Sequence, residues 1–187
     1  YQMIEDLGRG EVTGTFTLAG KTLTTKTWVQ ADETTQNLVV TELALTGGGP
    51  LDVSASIALG AQNSYASATG ATGDVLTRDV RADSADMVGG HATRRVRVAT
   101  RVVGATGAVA AGALSFELAA AAPVSLVTSV VSDRDAAAYQ SAAVANVATL
   151  TGADVDGLEG RHRAWWDAFF KKSFVEIPDK ILERTFY

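Results

Sequence analysis

The 187-residue sequence contains no cysteine, only two histidines and only three prolines. Without cysteine there can be no disulfide framework, no thiolate metal site and no cysteine nucleophile. The two histidines, His91 and His162, stand in a loop-like and a helix-like segment, so no spaced cluster of metal ligands is visible. We therefore expect neither a metal ion nor another cofactor.

Long apolar runs and an excess of positive charge are missing as well. The alanines at 119–122 and the valines after Pro123 are interrupted by Ser and Thr, and they stay far below the roughly 20 residues that span a bilayer. The formal net charge of -5 gives no general attraction to a phosphate backbone or to anionic lipid. We expect no nucleic acid and no membrane as partners, while a secreted and a cytoplasmic location both stay open.

The hydrophobic content of 47% and the charged content of 20% are typical of a globular protein. Residues 11 to about 131 predict successive strands. Apolar or small residues alternate with threonines over 12–18, and a turn at 19–21 leads into a second strand over 22–30, which predicts a hairpin. The ranges 38–45 and 51–59 predict a second hairpin, with the Gly47–Pro50 run as its turn.

Further strands follow with few clear boundaries between them. Residues 60–73 are rich in Ala, Ser, Gly and Thr and predict a loop or a weak edge strand. Other strands are expected near 74–80 and over 93–103, 112–120 and 123–131. Seven or more short strands without intervening helices predict a mainly β protein, with an antiparallel β-sandwich.

The pattern becomes helical after residue 131. Ser132 and Asp135 resemble a capping box in front of an alanine-rich helix over 136–150, which Thr151 and Gly152 would end. A second helix is predicted over 154–172, and Pro178 with Asp179 opens a third helical segment. We therefore predict a β-sandwich domain over residues 1–131 and a helical linker over residues 132–187.

The helical tail carries two of the three tryptophans and four of the six phenylalanines. Several of its apolar residues fall at spacings of three and four, which places them on one helix face; these are Val155, Leu158, His162, Trp165 and Phe169. Short helices cannot bury this load among themselves, so it implies a partner surface, either the sandwich or another domain. The residues predicted to pack there are His162, Trp165, Trp166, Phe169 and Phe170.

Two residues are candidates for contact with a carbohydrate. Trp28 lies in a threonine-rich strand, where a core position and a surface contact with a sugar are equally supported. His91 follows Gly89 and Gly90 in a loop that could reach a partner's active site, although a lone loop histidine is more often merely exposed.

Other polar residues have simpler explanations. The alternation of arginines with valines at Arg94, Arg95, Arg97 and Arg101 favours a solvated sheet face over an anion or nucleic-acid site, because no aromatic residues interleave with them. Paired acidic residues lie in turns or helix starts and are interpreted as caps; they are Asp32 with Glu33, Asp83 with Asp86, Asp133 with Asp135, and Asp154 with Asp156. No pattern for acyl or phosphoryl transfer is present, and we identify no catalytic residue.

Residues 162–179, which open His-Arg-Ala-Trp-Trp-Asp, resemble a junction found in large glycoside hydrolases related to families 95 and 65, where an N-terminal β-sandwich passes into an (α/α)6 barrel. Residues 10–17, 24–29 and 38–45 are similar to the opening strands of those supersandwich domains. The resemblance implies a non-catalytic module whose partner is the barrel of the same parent chain, and an oligosaccharide or polysaccharide substrate.

In such enzymes the inverting mechanism uses carboxyl groups of the barrel, which have no counterpart in this sequence. The resemblance leaves open whether the parent would perform hydrolysis or phosphorolysis. The alternatives from other classes are an independent carbohydrate-binding sandwich and a structural surface sandwich.

Overall fold

The computed structural model describes residues 1–31, 37–59, 65–84, 92–172 and 176–186. These residues form eleven strands in two antiparallel sheets, followed by three helices, so the predicted mainly β class is confirmed. The elements are β1 (Gln2–Asp6), β2 (Glu11–Leu18), β3 (Lys21–Val29), β4 (Leu38–Thr46), β5 (Leu51–Ser56), β6 (Ala66–Thr72), β7 (Val75–Ser84), β8 (Ala92–Val103), β9 (Ala108–Ala110), β10 (Ala113–Leu118), β11 (Val124–Ser132), α1 (Tyr139–Ala148), α2 (Gly152–Lys172) and α3 (Lys180–Phe186).

The larger sheet has eight strands in the order β1-β2-β3-β4-β11-β8-β7-β6, and the smaller has three in the order β5-β10-β9. The predicted first hairpin is confirmed, with pairing from Glu11 opposite Trp28 to Leu18 opposite Lys21. Its turn places Ala19 and Gly20 at positive φ, 51° and 76°, a conformation that glycine adopts without strain.

The predicted second hairpin is wrong. β4 pairs with β3 and β11 in the large sheet, whereas β5 pairs with β10 in the small sheet. The Gly47–Pro50 run therefore carries the chain from one sheet to the other. At Gly47, where φ is 77°, a Cβ would collide with the carbonyl oxygen of Gly20, so this crossing requires glycine.

Of the two edge strands of the large sheet, one was not predicted and the other was. β1 forms one edge ahead of the predicted first strand, pairing from Gln2 opposite Thr15 to Asp6 opposite Glu11. β6 forms the other edge and pairs only with β7, which agrees with the weak edge strand predicted within 60–73. Residues 60–64 of that range lie outside the described part of the chain.

One hydrophobic core lies between the two sheets. Ala121, just after β10, donates its N–H to the carbonyl oxygen of Leu45 on β4 (3.1 Å), while Gly112, just before β10, lies beside Thr69 on β6. β10 thus crosses the strands of the large sheet as the second layer of a sandwich. The buried residues of this core are Leu43, Leu45, Leu76, Val102, Leu114, Phe116, Leu118 and Val124.

A second core lies on the opposite face of the large sheet, under α1 and α2. Neighbouring strand residues divide between the two cores: Val75 and Val103 face the helices, and Leu76 and Val102 face the small sheet. The centre of the large sheet is therefore covered on both faces. The buried residues under the helices are Trp28, Leu38, Val40, Val75, Ala99, Val103, Val127, Val131, Ala143, Val147, Val155 and Leu158.

The helix starts differ from the predicted ones. Asp135 accepts hydrogen bonds from the N–H and hydroxyl of Ser132 (2.8 and 2.7 Å), but this unit closes a turn, and α1 begins only at Tyr139. The corresponding unit of Thr151 and Asp154, with bonds of 2.8 and 2.6 Å, stands at the start of α2. Thr151 therefore caps the second helix. No helix in the described part of the chain is long and apolar enough to cross a membrane.

Candidate functional site

The candidate site is the seam between α2 and the large sheet, together with the aromatic surface that continues from it. The first half of α2 packs on the sheet, and Val155, Leu158 and His162 are buried there. Their spacing of three and four residues places them on one stripe, as predicted. The same stripe continues to Phe169, which is 48% exposed. α2 is therefore anchored along its first half and presents aromatic surface along its second.

An ion-pair network fastens α2 to three strands. The Lys26 ammonium on β3 lies 2.9 Å from the carboxylate of Glu42 on β4 and 2.6 Å from that of Glu159 on α2. Arg163, one turn after Glu159, lies 2.6 Å from the same carboxylate. Its guanidinium also donates from Nε and Nη2 to both carboxylate oxygens of Glu11 on β2, at 2.7 and 3.2 Å. The network thus joins strand β2, strands β3 and β4, and the helix.

Burial and charge act against each other within this network. Burial alone would raise the pKa of Glu11, but the hydrogen bond and the charge of Arg163 outweigh it, so the pKa is lowered from its usual value. Burial likewise opposes the ammonium form of Lys26, yet the hydrogen bonds to Glu159 and Glu42 raise its pKa. Both groups therefore remain charged at neutral pH. The sequence analysis did not identify this network. The i,i+4 spacing of Glu159 and Arg163 is a signal that could have revealed one pair, but the cross-strand partners require the sheet register.

His162 is fully buried in the middle of the seam. Its ring lies between those of Trp28 and Trp166, with centroid distances of 6.2 and 6.4 Å. Its Nε2 is 2.7 Å from the carbonyl oxygen of Arg9, which fits donation from an Nε2–H. The next residue, Gly10, has a φ of 59°, and a Cβ there would collide with the Trp166 indole. His162 and Trp166 therefore pack on the sandwich within this chain.

Beyond His162, four aromatic rings form a continuous group that we call the α2 aromatic cluster: Trp165, Trp166, Phe169 and Phe170. Trp165 stacks on Phe169 at a centroid distance of 5.3 Å and an interplanar angle of 9°. Trp166 stacks on Phe170 at 5.6 Å and 23°, and edge-to-face contacts join the two pairs. Such geometries are the ones that aromatic rings prefer. The cluster is preorganised, and it remains partly open to solvent through Phe169.

The last helix adds exposed apolar residues to this end of the chain. Asp179 caps α3 by accepting from the backbone N–H groups of Ile181 and Leu182 (2.9 and 3.2 Å), as its position after Pro178 predicts. The side chains of Ile181 and Leu182 are 79% and 60% exposed. The aromatic residue Phe174, which the sequence placed in the same tail, lies outside the described residues.

The two carbohydrate-contact candidates have different outcomes. Trp28 is only 1% exposed and packs under α2, so it occupies the core position of the two alternatives, and its ring face is covered by this chain. Lys26 lies over the indole, 5.3 Å from the ring centroid. His91 lies outside the described residues and stays a prediction.

The arginine face of β8 is the solvated face that the sequence favoured only in part, because Arg95 is exposed whereas α1 packs against the strand near Arg97. Arg97 forms a bidentate pair with Asp79 (2.8 and 2.5 Å), and its hydrogen bond lowers the pKa of that carboxyl group. Arg101 pairs with Asp74 at 2.8 Å and donates to the carbonyl oxygen of Leu150 at 2.9 Å. These arginines join α1 and the following turn to the sheet.

Capping explains two of the four acidic pairs, through Asp135 and Asp154, whose pKa values are lowered by hydrogen bonds from Ser132 and Thr151. The first pair lies outside the described residues, as does Asp86 of the second. Among the residues that the structure describes, no three His, Asp or Glu side chains are grouped so that they could hold a metal ion.

Comparison with known proteins shows the fold alone. No family model matches the sequence, and no curated protein matches it. Among solved structures, the chain is similar to "Putative kojibiose phosphorylase from human microbiome", with a TM-score of 0.59 and 10% sequence identity. The match covers 90% of this chain and 24% of that one, so the chain spans about a quarter of its neighbour's length.

Proposed function

We propose that this chain is a non-catalytic N-terminal module of a carbohydrate-active enzyme, which packs against an (α/α)6 catalytic barrel and helps to shape its substrate cleft. The observation that carries the proposal is the α2 aromatic cluster, stacked in place and still open at Phe169. The structural likeness to a much longer protein whose name describes a glycoside phosphorylase supports the carbohydrate assignment. The residues proposed to pack at the domain junction remain His162, Trp165, Trp166, Phe169 and Phe170.

The roles within this group differ. His162 is fully buried and touches Trp28 and Trp166, so it would hold the seam in place from inside this chain. Trp165 and Phe169 are stacked on each other and lie at the open end of the cluster, so they would contact the barrel directly. Ile181 and Leu182 extend the apolar surface on α3. In this proposal residues 132–187 form the helical linker, and an oligosaccharide or polysaccharide is the substrate of the parent enzyme.

The test is made on the parent reading frame, with and without the segment downstream of Tyr187. Both proteins are assayed against a panel of glycosides, with water and then with phosphate as the acceptor. Activity confined to the longer protein supports the proposal, and the acceptor distinguishes a hydrolase from a phosphorylase. Inactivity of both proteins, together with glycan binding by the shorter one, would favour the independent carbohydrate-binding module instead.

A matched pair of variants tests the junction itself. In the longer protein, Phe169→Glu places a charge at the open end of the cluster and should weaken the packing of the module on the barrel. Asp167→Lys changes the charge of an exposed residue on the same helix outside the cluster and serves as the control. Faster proteolytic separation of the two domains in F169E, but not in D167K, is the expected result. Equal behaviour of the two variants would count against the proposed junction.

A further inference from the structure

The edge of the large sheet that carries β1 has an apolar face outside the area covered by the small sheet. Leu23 on β3 packs against the core between the sheets, and Phe16 on β2 lies directly opposite it. Phe16 therefore leaves the face on which the small sheet lies, but it stands beyond that core and is 39% exposed. The exposed apolar side chains on this face are Tyr1 (95%), Met3 (61%), Phe16 and Leu18 (82%). The α2 seam lies on the opposite face of the sheet.

Two of these side chains form a stacked pair of aromatic rings, and we call the four together the β1–β2 platform. Gln2 pairs with Thr15, so the preceding residue, Tyr1, lies level with Phe16. The ring centroids of Tyr1 and Phe16 are 6.0 Å apart, and the ring planes differ by 17°. Nearly parallel rings that both reach solvent present a flat apolar surface.

Gly14 determines where the Phe16 ring lies. A Cβ at Gly14 would lie 2.9 Å from Cε2 of Phe16 and 2.7 Å from the hydroxyl oxygen of Thr25. The ring therefore leans along β2 into the space that the glycine leaves open. The Thr25 hydroxyl lies beside the ring on the same face, since Thr25 pairs with Gly14. An apolar ring surface and a hydroxyl group are thus adjacent.

The size of the β1–β2 platform fits a small ligand rather than a protein. It is about 10 Å wide across two strands and about 13 Å long from the level of Met3 to Leu18. This area is well below the roughly 800 Å² that each partner contributes to a standard protein interface. The four side chains of the platform carry no charge, which matches a neutral ligand.

The chemistry of the platform fits a pyranose ring. A pyranose combines an apolar face of C–H groups with hydroxyl groups at its rim, so it stacks on an aromatic ring while its hydroxyls form hydrogen bonds. The Thr25 hydroxyl lies beside the rings, and Glu5, which follows Met3 by two residues on β1, adds an exposed carboxylate on the same face. Both groups accept hydrogen bonds from hydroxyls.

From this arrangement we propose that the β1–β2 platform binds a neutral oligosaccharide, with one or two pyranose units stacked on Tyr1 and Phe16. The assignment does not rest on the proposed role of the chain as an enzyme module, because the platform and the α2 seam lie on opposite faces of the sheet. The chain would contact a carbohydrate through its own sheet, apart from any catalytic cleft.

The test is a titration of the 187-residue chain with maltohexaose, cellohexaose and xylohexaose, followed by backbone and aromatic NMR signals. Glucitol is titrated in parallel, because it carries hydroxyl groups without a ring face. We expect at least one oligosaccharide to shift the signals of Tyr1, Gly14, Phe16 and Thr25, and glucitol to leave them unchanged. An absence of shifts there with all three oligosaccharides would overturn the site, whatever the longer parent protein catalyses.

A matched pair of variants assigns the binding to the platform. Phe16→Leu keeps an apolar side chain but removes the flat ring, and it should weaken binding about three- to tenfold, the scale of one aromatic stacking contact. Phe169→Leu makes the same change at a half-exposed ring of the α2 aromatic cluster and should bind as the unmodified chain does. Equal losses in F16L and F169L would reduce the effect to general attraction to aromatic surface and overturn the site.

Two further variants separate the ring from the fold. Tyr1→Leu changes a side chain that is 95% exposed, so it should leave the melting temperature unchanged and still weaken binding. Gly14→Ala keeps both rings but displaces the Phe16 ring and the Thr25 hydroxyl, and it should weaken binding as well. Unchanged binding in both Y1L and F16L would contradict the proposal.

Discussion

The ion pair between Glu11 and Arg163 is the most informative contact to break, because it joins the hairpin of β2 and β3 to α2. The Glu11 side chain is 6% exposed, and both of its carboxylate oxygens accept from Arg163, at 2.7 and 3.2 Å. Removing one partner of a buried pair typically costs about 3–5 kcal/mol. Arg163 is 39% exposed and keeps its contact with Glu159, so we expect Glu11→Gln to cost about 2 kcal/mol.

The assay is urea unfolding followed by tryptophan fluorescence, since Trp28 and Trp166 both lie in the seam. For a chain of this size, about 2 kcal/mol corresponds to a fall in melting temperature of roughly 4–8 °C. Glu5→Gln is the matched control, because Glu5 is exposed on the neighbouring strand β1. The control should change the free energy of unfolding by no more than about 0.5 kcal/mol.

The effect should also depend on pH with a defined sign. The pKa of Glu11 is lower in the folded chain than its usual value of 4.5, so its contribution is present above about pH 4.5. It is lost as the pH falls through the folded-state pKa. The difference in stability between the unmodified chain and E11Q should therefore shrink below pH 4.5. A difference that persists unchanged in acid, or an E11Q value equal to that of E5Q, would refute the role given to this pair.

Two further substitutions test local geometry. Gly10→Ala should lower the free energy of unfolding by about 2 kcal/mol or more and shift the tryptophan emission, because φ is 59° and the new Cβ collides with Trp166. Gly8→Ala is the control, since φ there is not positive and the nearest atom would be 3.4 Å from the new Cβ. Equal unfolding curves for the two variants would contradict the contact between Gly10 and Trp166. Thr151→Ala should lower the melting temperature by about 2–4 °C in calorimetry because it uncaps α2, whereas Ser132→Ala should change it less, because that unit closes only a turn.

The strands were predictable where apolar residues alternate with polar ones. β2 and β3 were predicted from their threonine alternation and the turn at Gly20, because the hairpin is a local structure. The hairpin predicted across Gly47–Pro50 failed for a physical reason. Glycine and proline show that a chain changes direction, but the partner of the next strand depends on distant residues such as those of β10. The pairing therefore could not be read from that segment alone.

The helix starts show the same limit in another form. Ser132 and Thr151 each precede an aspartate by three residues, and each donates its N–H and its hydroxyl to that carboxylate. The Asp154 N–H returns a bond to the Thr151 hydroxyl at 3.3 Å, whereas the Asp135 N–H donates to the backbone carbonyl of Ser132 at 3.1 Å. Only the second stands at a helix N-terminus, because the local pattern specifies a turn, while packing on the sheet determines where the helix begins. The arginine face of β8 shows the same limit. The alternation of arginines with valines correctly predicted a strand, but nothing in the strand itself predicts that α1 packs against that face.

The α2 seam could be predicted only in part. Its buried apolar stripe was predictable and its ion pairs were not, for different physical reasons. The buried stripe follows from a spacing of three and four residues within one helix, which the sequence displays directly. The ion pairs join α2 to residues more than 100 positions earlier, so no local pattern reveals them. These contacts also fix the direction in which the aromatic cluster faces. If the cluster docks on a catalytic barrel, as we propose, the orientation of that barrel relative to the sandwich depends on Glu11 and Lys26, far from the contact itself.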